Sequence, residues 1–238
     1  MVFKPNLKNY ADLSKIKYEK EPFEHCIIEN FITPTLADKA YDNILSLDPN
    51  QANSKFVNKN SKHEYNKFGF SNIDKLPVYL RFIFRELTSK DFIQSLEKLT
   101  GITGLIPDDY SLLGAGIHLI KSGGMLDMHT DFNTYQSSKY GKLDRRINLL
   151  VYMNKDWEEH YTGDILLRGQ DQSIKRIKPL FNRAVIFNTT NKSIHGHPEI
   201  LNTPEHIMRK SIALYYYTRN NTGDVDFEGD KTHTTLWH

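Results

Sequence analysis

Short apolar runs separated by turn-forming residues make up most of the sequence between positions 105 and 218. The runs GAGIHLI, INLLVYM, DILL, AVIF and IALYYY are rich in β-branched and aromatic residues, and Gly, Asn, Asp and Pro lie between them. Runs of this length and composition are typical of strands. Their spacing predicts a β-sandwich or barrel of antiparallel strands rather than βαβ units.

The first 104 residues have a different pattern, with two stretches of helical periodicity. One begins at Thr33 and ends before Pro49, because the residue before a proline avoids the helical region. The other covers Leu76–Leu99, and Ser89 is a candidate point of division into two helices. A short strand is predicted within Phe23–Phe31. Helices followed by a run of strands predict a mainly β, α+β fold in which the helices support a β-sandwich.

Three polar segments are predicted to lack regular structure. Residues 51–74 form a stretch rich in Asn, Lys and Ser, and long loops of this kind are often functional. The loops Gln51–Ile73 and Asn133–Leu143 are candidates for gating a pocket. The polar residues Arg219–His238 are expected to form a loosely held tail.

Length and composition predict a single domain of 238 residues. We divide it into a support region (1–104), a β core (105–218) and the tail (219–238). Lys and Arg number 31 against 29 Asp and Glu, a balance that argues against a nucleic-acid partner. Cys26 is the single cysteine, which excludes an internal disulfide. With no signal-peptide pattern and no membrane-spanning run, we expect a soluble, cytoplasmic protein; the sequence does not indicate its oligomeric state.

Among the 10 histidines, His129 is the most informative because Asp131 follows two positions later. On a strand, residues two apart lie on the same face. One imidazole and one carboxylate are two of the three ligands in the 2-His-1-carboxylate triad that holds non-haem Fe(II). So short a motif also arises by chance, so a distant third ligand is required.

His195 is the candidate third ligand and His197 is the alternative. Several strands lie between His129 and His195, so a return strand could bring the two side by side. Both His195 and His197 could instead lie in a surface turn before Pro198.

Arg209 and Ser211 lie on one face at the start of the run IALYYY. A buried arginine is costly without an anion, and a dicarboxylate such as 2-oxoglutarate would fit its guanidinium. A surface arginine at a strand edge is the simpler alternative. Asn148 and Tyr152 interrupt an apolar strand, either as polar groups in a pocket or as hydrogen-bonded core residues.

From about Pro22 to Tyr217 the sequence resembles the prolyl-4-hydroxylase-like branch of the Fe(II)/2-oxoglutarate-dependent oxygenases. The matching motifs, in order, are FEHCIIENFITPTLADKAY, LEKLTGITGLIPD, GAGIHLIKSGGMLDMHTDFN, RRINLLVYMNKDW, TGDILL, P-x-FNRAVIFNTT, SIHGHPE and RKSIALYYYT. The resemblance implies a double-stranded β-helix, or jelly-roll, core with supporting N-terminal helices.

The resemblance also implies a set of site residues. Fe(II) would be held by His129, Asp131 and His195, and Arg209 would bind the distal carboxylate of 2-oxoglutarate. At the cosubstrate it implies Tyr152 and His118, the last in place of a tyrosine of the animal enzymes, beside Ser211 and Asn148, which we expect there from their strand faces. O2 would be the second cosubstrate, and a need for ascorbate is left open.

The implied activity is hydroxylation of an unactivated C–H bond, with succinate and CO2 as coproducts. The substrate would be a prolyl residue in a peptide or protein, or free proline; a small molecule or a saccharide is the alternative. Tyr135 and Tyr140 are candidate substrate-loop residues, since their segment closely follows Asp131. Asp131 argues against a halogenase, in which that carboxylate is missing.

Two other classes compete with the oxygenase. One is a jelly-roll binding module without turnover, against which the complete ligand set argues. The other is a hydrolase with zinc on the same triad, but a hydrolase has no need for Arg209. A catalytic Cys26 is disfavoured because it lies in an apolar strand.

Overall fold

The structure, a computed structural model, describes residues 8–56, 62–110, 113–219 and 232–238. In these ranges the α-helices are α1 (Pro34–Leu45), α2 (Val78–Leu87) and α3 (Lys90–Thr100). The strands are β1 (His25–Ile28), β2 (Ser54–Phe56), β3 (Glu64–Phe70), β4 (Gly116–Thr130), β5 (Thr134–Ser137), β6 (Gly141–Tyr152), β7 (Ile165–Arg168), β8 (Ile174–Ile177), β9 (Arg183–Asn188), β10 (Ile194–His197), β11 (Arg209–Arg219) and β12 (Leu236–Trp237).

The strands form one continuous antiparallel sheet that curls into a jelly roll. Its main order is β1-β9-β6-β11-β4-β10-β7-β8. Strands β3 and β12 pair with β4, β2 pairs with β3, and β5 pairs with β6. The mainly β fold with a jelly-roll core and supporting N-terminal helices is therefore confirmed.

Alternation along β11 shows how the sheet separates the core from the site. Ile212, Leu214 and Tyr216 are buried in a hydrophobic cluster that includes residues of all three helices. Arg209 and Ser211 point to the opposite face, where they line a cavity. Because strand side chains alternate, one strand supplies both the packing that fixes the sheet and the polar groups of the cavity.

The helices follow the predicted pattern with small shifts at their ends. Thr33 is the residue before α1, as expected, but the helix ends at Leu45 rather than next to Pro49. The stretch Leu76–Leu99 is divided at Ser89, whose hydroxyl caps α3 by accepting from the Phe92 amide at 3.4 Å. No helix within the described ranges is long and apolar enough to span a membrane.

Both predicted gating loops contain strands, so the prediction that they lack regular structure is wrong for the residues described, while their role as gates stays a prediction. Within 51–74, β2 and β3 form an antiparallel pair and β3 pairs with β4; residues 57–61 lie outside the described ranges. Within Asn133–Leu143, β5 pairs with the start of β6. Strand pairing uses main-chain groups, so polar side chains do not prevent it where a neighbouring edge is available.

The predicted tail also differs from the structure. Arg219 is the last residue of β11, residues 220–231 lie outside the described ranges, and β12 pairs with the end of β4. The His238 amide donates to the Met128 carbonyl at 2.9 Å. The prediction of a loosely held tail is therefore wrong for residues 236–238, which are held by main-chain hydrogen bonds.

Phe92 joins the helices to the sheet. Its fully buried ring lies 4.8 Å from Tyr10, 6.3 Å from Phe31 and 6.0 Å from Tyr216, centroid to centroid.

We expect Phe92→Ala to lower the free energy of unfolding by about 3–5 kcal/mol, because it leaves a cavity between elements that cannot close fully. Urea denaturation measures the change. Ile174→Ala, at an exposed position, is the control and should change it by about 0.5 kcal/mol or less; equal effects would contradict this view of the core.

Candidate metal centre

Two strands bring the predicted ligand residues together. His129 lies near the end of β4, and Asp131 follows just beyond it. Strand β10 runs antiparallel to β4 with His195 directly opposite His129. One ligand atom of each residue lies within 4.8 Å of the others, and all three side chains are buried. The sheet register thus produces the grouping that the sequence predicted only from order and residue type.

The two imidazoles are oriented by main-chain carbonyls. Nδ1 of His129 lies 2.8 Å from the Asp127 carbonyl oxygen, and Nδ1 of His195 lies 2.9 Å from that of Ser193. A carbonyl only accepts, so each Nδ1 carries a proton, and the neutral form of each ring has its lone pair on Nε2. Burial, followed by the effect of His129, lowers the pKa of His195 to about 4, so its ring is neutral at pH 7.

The Nε2 atoms face the carboxylate of Asp131. That of His129 lies 3.6 Å from Oδ1, and that of His195 lies 3.4 Å from Oδ2. The ligand atoms of the three side chains therefore lie close together, an arrangement that a bound cation would satisfy. Two neutral imidazoles and one carboxylate fit Fe(II) or a similar divalent transition metal.

Asp131 is held by a network on β6. Its Oδ2 lies 2.9 Å from Nη2 of Arg145 and accepts a hydrogen bond of 2.7 Å from Nδ2 of Asn148. Arg145 in turn donates from Nε and Nη2 to Oδ1 of Asn148, at 3.0 and 2.8 Å. Burial by itself would raise the pKa of Asp131, but Arg145, His195 and His129 together outweigh it and hold the pKa well below its usual range. Asn148, predicted to bind the cosubstrate, thus contacts the metal-site carboxylate.

Arg145 was not among the predicted site residues. Period-two alternation from Asn148 places Arg146, not Arg145, on the cavity face. The pairing of β6 with β11 shifts register here: Tyr216 pairs with Ile147 and Tyr217 with Arg145, so Arg146 is an extra, bulged residue. Bulges often redirect side chains near active sites. The sequence indicates this residue only through two adjacent arginines before an apolar strand, and it does not show which of the two side chains points into the cavity.

The Arg145 guanidinium is buried between aromatic rings. Its central carbon lies 4.5 Å from the ring centre of Phe132 and 3.4 Å from that of Tyr215. Rings stabilise a cation in a desolvated position. The network therefore carries a fixed positive charge directly behind Asp131.

A cavity of about 400 Å³ extends from the three ligand residues. Arg209, Ser211 and His118 line its far part, so these predicted cosubstrate residues share one cavity with the metal centre. Arg209 is buried and donates from Nε to the Gly163 carbonyl at 2.7 Å. Its guanidinium carbon lies 4.9 Å from the ring centre of Tyr152, which is fully buried and is not part of the cavity wall. Tyr152 therefore packs against Arg209 rather than lining the cavity itself.

The cavity also contains two histidines outside the ligand group. His118 donates from Nε2 to the Gly114 carbonyl at 3.0 Å, and burial, followed by the charge of Lys67, lowers its pKa to about 3. His197 lies in the cavity wall, and neither of its ring nitrogens has a hydrogen-bond partner among the described residues. His195, rather than His197, groups with His129 and Asp131.

The two candidate substrate tyrosines lie away from this cavity. Tyr135 packs on Tyr217 with 5.7 Å between ring centres, and the Lys139 ammonium lies 4.6 Å from the Tyr140 ring centre. Neither tyrosine is part of the cavity wall. The structure therefore does not bring them to the metal centre.

Strand β12 covers the side of the metal centre opposite β10. Trp237 pairs with His129 across the sheet, and their rings lie 5.3 Å apart. The indole also stacks on His63 at 4.5 Å, and Nδ1 of His63 lies 3.1 Å from the Asp127 carboxylate. Trp237 thus packs beside the His129 ring on the neighbouring strand. It lies in the segment that the sequence predicted to be a loosely held tail.

Comparison with known proteins agrees with this architecture. Residues 115–217 match the family model of the 2OG-Fe(II) oxygenase superfamily. No curated protein sequence matches the chain.

The fold is similar to several solved structures. One is a prolyl hydroxylase from Trichoplax adhaerens, in complex with a peptide fragment of the hypoxia inducible factor oxygen degradation domain (TM-score 0.57, 18% identity, 82% of this chain and 83% of that chain). Another is a Pseudomonas putida prolyl-4-hydroxylase (TM-score 0.55, 15% identity, 88% and 96%). A third comes from the prolyl 4-hydroxylases of Phytophthora capsici (TM-score 0.54, 16% identity, 84% and 60%).

At these identities the solved structures establish the fold. The match of residues 115–217 includes His129, Asp131, His195 and Arg209. The resemblance to the Fe(II)/2-oxoglutarate-dependent oxygenases is thereby confirmed over these residues.

Arg145→Met provides a test of the network behind Asp131. The substitution leaves a buried carboxylate without its ionic partner, so the metal-free protein should lose about 3–5 kcal/mol of unfolding free energy. A divalent metal such as Co(II) should raise the melting temperature of this variant more than that of the wild type, because the cation restores the missing charge.

Calorimetry with and without Co(II) measures both effects. Arg176→Met is the matched control, since Arg176 pairs with Glu199 at a half-exposed surface site. This substitution should lower the unfolding free energy by about 1 kcal/mol at most. A metal-free Arg145→Met protein as stable as the wild type would contradict the assigned network.

Trp237→Ala should weaken Co(II) binding by about tenfold, the lower end for residues that orient metal ligands, while Trp237→Phe retains most of it. Leu236→Ala is the control, because Leu236 neighbours Trp237 in sequence but is exposed. Titration followed by the visible absorption of Co(II) measures the affinities. Unchanged binding in Trp237→Ala would show that β12 does not support His129.

Proposed function

We propose that the protein is an Fe(II)- and 2-oxoglutarate-dependent dioxygenase that hydroxylates a C–H bond of an organic substrate. The observation that carries the proposal is one cavity with His129, Asp131 and His195 at one end and the buried Arg209 at the other. In the balanced reaction, substrate, O2 and 2-oxoglutarate give hydroxylated substrate, succinate and CO2.

His129, Asp131 and His195 would hold the metal, which supplies O2 activation when bound. Two imidazoles and one carboxylate occupy three positions and leave others for cosubstrate and O2. The Asp127 and Ser193 carbonyls keep both Nε2 lone pairs directed at the metal, and Arg145 with Asn148 keeps the carboxylate in place. The protein thus contributes orientation and charge.

Arg209 would bind the distal carboxylate of 2-oxoglutarate. Its Nε donates a hydrogen bond to the Gly163 carbonyl, which fixes the guanidinium in the cavity wall. Ser211 lies two residues further on the same face and offers a hydroxyl group. Tyr152 packs against the guanidinium, and the dry surroundings strengthen a bond between the two charged groups.

For the substrate we propose only candidate classes. Peptidyl proline and free proline are the candidates suggested by the fold, and a small molecule or saccharide is the alternative. The buried Arg209 argues against a zinc hydrolase on the same triad, because hydrolysis needs no anchor for a dicarboxylate.

Anaerobic addition of Fe(II) and 2-oxoglutarate to metal-free protein should produce the weak visible charge-transfer band of the chelate. His129→Ala should abolish the band because it removes a ligand. Arg209→Met should require about 10–100-fold more 2-oxoglutarate, since it removes a charge-assisted anchor. His160→Ala, at an exposed histidine, should leave the titration unchanged.

Exposure of the complex to O2 then separates an enzyme from a binding module. Slow formation of succinate, even without substrate, is expected of the oxygenase. A folded, metal-loaded protein without the band would contradict the proposal. A band without any succinate would favour a jelly-roll binding module.

A further inference from the structure

A charged pair on β3 faces the same cavity and is not used by the metal centre or by Arg209. Nζ of Lys67 lies 3.5 Å from Oε1 of Glu64, and only 14% and 17% of their side chains are exposed. Both residues line the cavity. Removing two charges from water is costly, so a pair placed in a ligand cavity requires an explanation.

The backbone of β3 is deformed in a way that turns both charges inward. Glu64 and Lys67 are three positions apart, so regular alternation would place them on opposite faces. Pairing with β4 is interrupted between Tyr65 and Lys67, where Asn66 has a φ of 53°. Asn66 is fixed there by a hydrogen bond of 2.8 Å from its Nδ2 to the Ser122 carbonyl. Bulges and left-handed residues of this kind often occur next to active sites.

Cross-strand pairing locates the pair relative to the proposed cosubstrate. Lys67 and Arg209 both lie opposite Ile120, on the two flanking strands. Glu64 and His197 similarly flank Leu126, closer to His129 along β4. Opposed residues share a face, so the charged pair lines the side of the cavity between the metal centre and Arg209.

The signs of the charges select the class of ligand. A dicarboxylate at Arg209 would gain from Lys67 but would be repelled by Glu64. A ligand with one ammonium and one carboxylate close together matches both side chains, each charge facing its opposite. Phe56 and Leu113, both partly exposed, also line the cavity and offer apolar surface to the rest of such a ligand.

We propose that Glu64 and Lys67 bind the α-ammonium and α-carboxylate groups of a free amino acid, which is the substrate. This inference rests on the proposed oxygenase function. It separates a free amino acid from a prolyl residue inside a peptide, which has neither charge, and from a neutral saccharide.

The test uses the anaerobic complex of the protein with Fe(II) and 2-oxoglutarate, whose visible band shifts when substrate enters the site. The twenty free L-amino acids are added one at a time, and any that shifts the band is compared with its N-acetyl and carboxamide forms. We expect at least one free amino acid to shift the band, and each blocked form to bind about tenfold or more weakly, since each lacks one charge-assisted bond.

Glu64→Gln and Lys67→Met should weaken binding of this amino acid by about tenfold or more, a larger change than either makes in the 2-oxoglutarate titration. Lys121→Met is the matched control, because Lys121 is exposed on β4 outside the cavity and should have no effect. Circular dichroism confirms that each variant is folded.

Three results would overturn the inference. They are no response to any free amino acid, equal binding of free and blocked forms, or a loss of 2-oxoglutarate binding in Lys67→Met that assigns this lysine to the cosubstrate. Absence of the band before any amino acid is added would instead contradict the oxygenase function itself, and the inference with it.

Discussion

Main-chain pairing along both edges of β4 is the constraint on which the site depends. One edge is occupied by β11 and β10, the other by β3 and β12. The register of these pairs sets which side chains meet across the cavity, from Ser211 beside His118 to His195 beside His129. A one-residue slip would turn every such side chain away from the cavity. The helices stabilise the register because they bury the other face of the same strands.

The parts of the site that follow strand alternation could be predicted from the sequence. His129 and Asp131 share a face because they are two residues apart, and Arg209 and Ser211 do so for the same reason. His195 required the order of motifs, since no local pattern shows which distant strand pairs with β4. Arg145, Glu64 and Lys67 were missed, because a bulge on each strand changes the face on which they lie.

The fold shows the same division between local and long-range information. The helices and the division at Ser89 follow from apolar spacing and a capping side chain, which are local. Strands β2, β5 and β12 have only two to four residues, and β3 lies in a stretch rich in Asn and Lys; pairing with an existing edge holds all four in place. A pattern based on side chains does not reveal such strands, because their stability comes from main-chain hydrogen bonds to partners distant in sequence.

The buried guanidinium of Arg145 has a consequence for the choice of metal. Within the protein its charge cancels that of Asp131, so the carboxylate offers a cation little net attraction. Ions that depend on several negatively charged oxygen ligands, such as Ca²⁺ and Mg²⁺, gain little from this centre. Ions that form strong bonds to imidazole nitrogen retain most of their affinity. An arginine that touches no metal would in this way discriminate between the abundant hard cations of a cell and the scarcer transition metals.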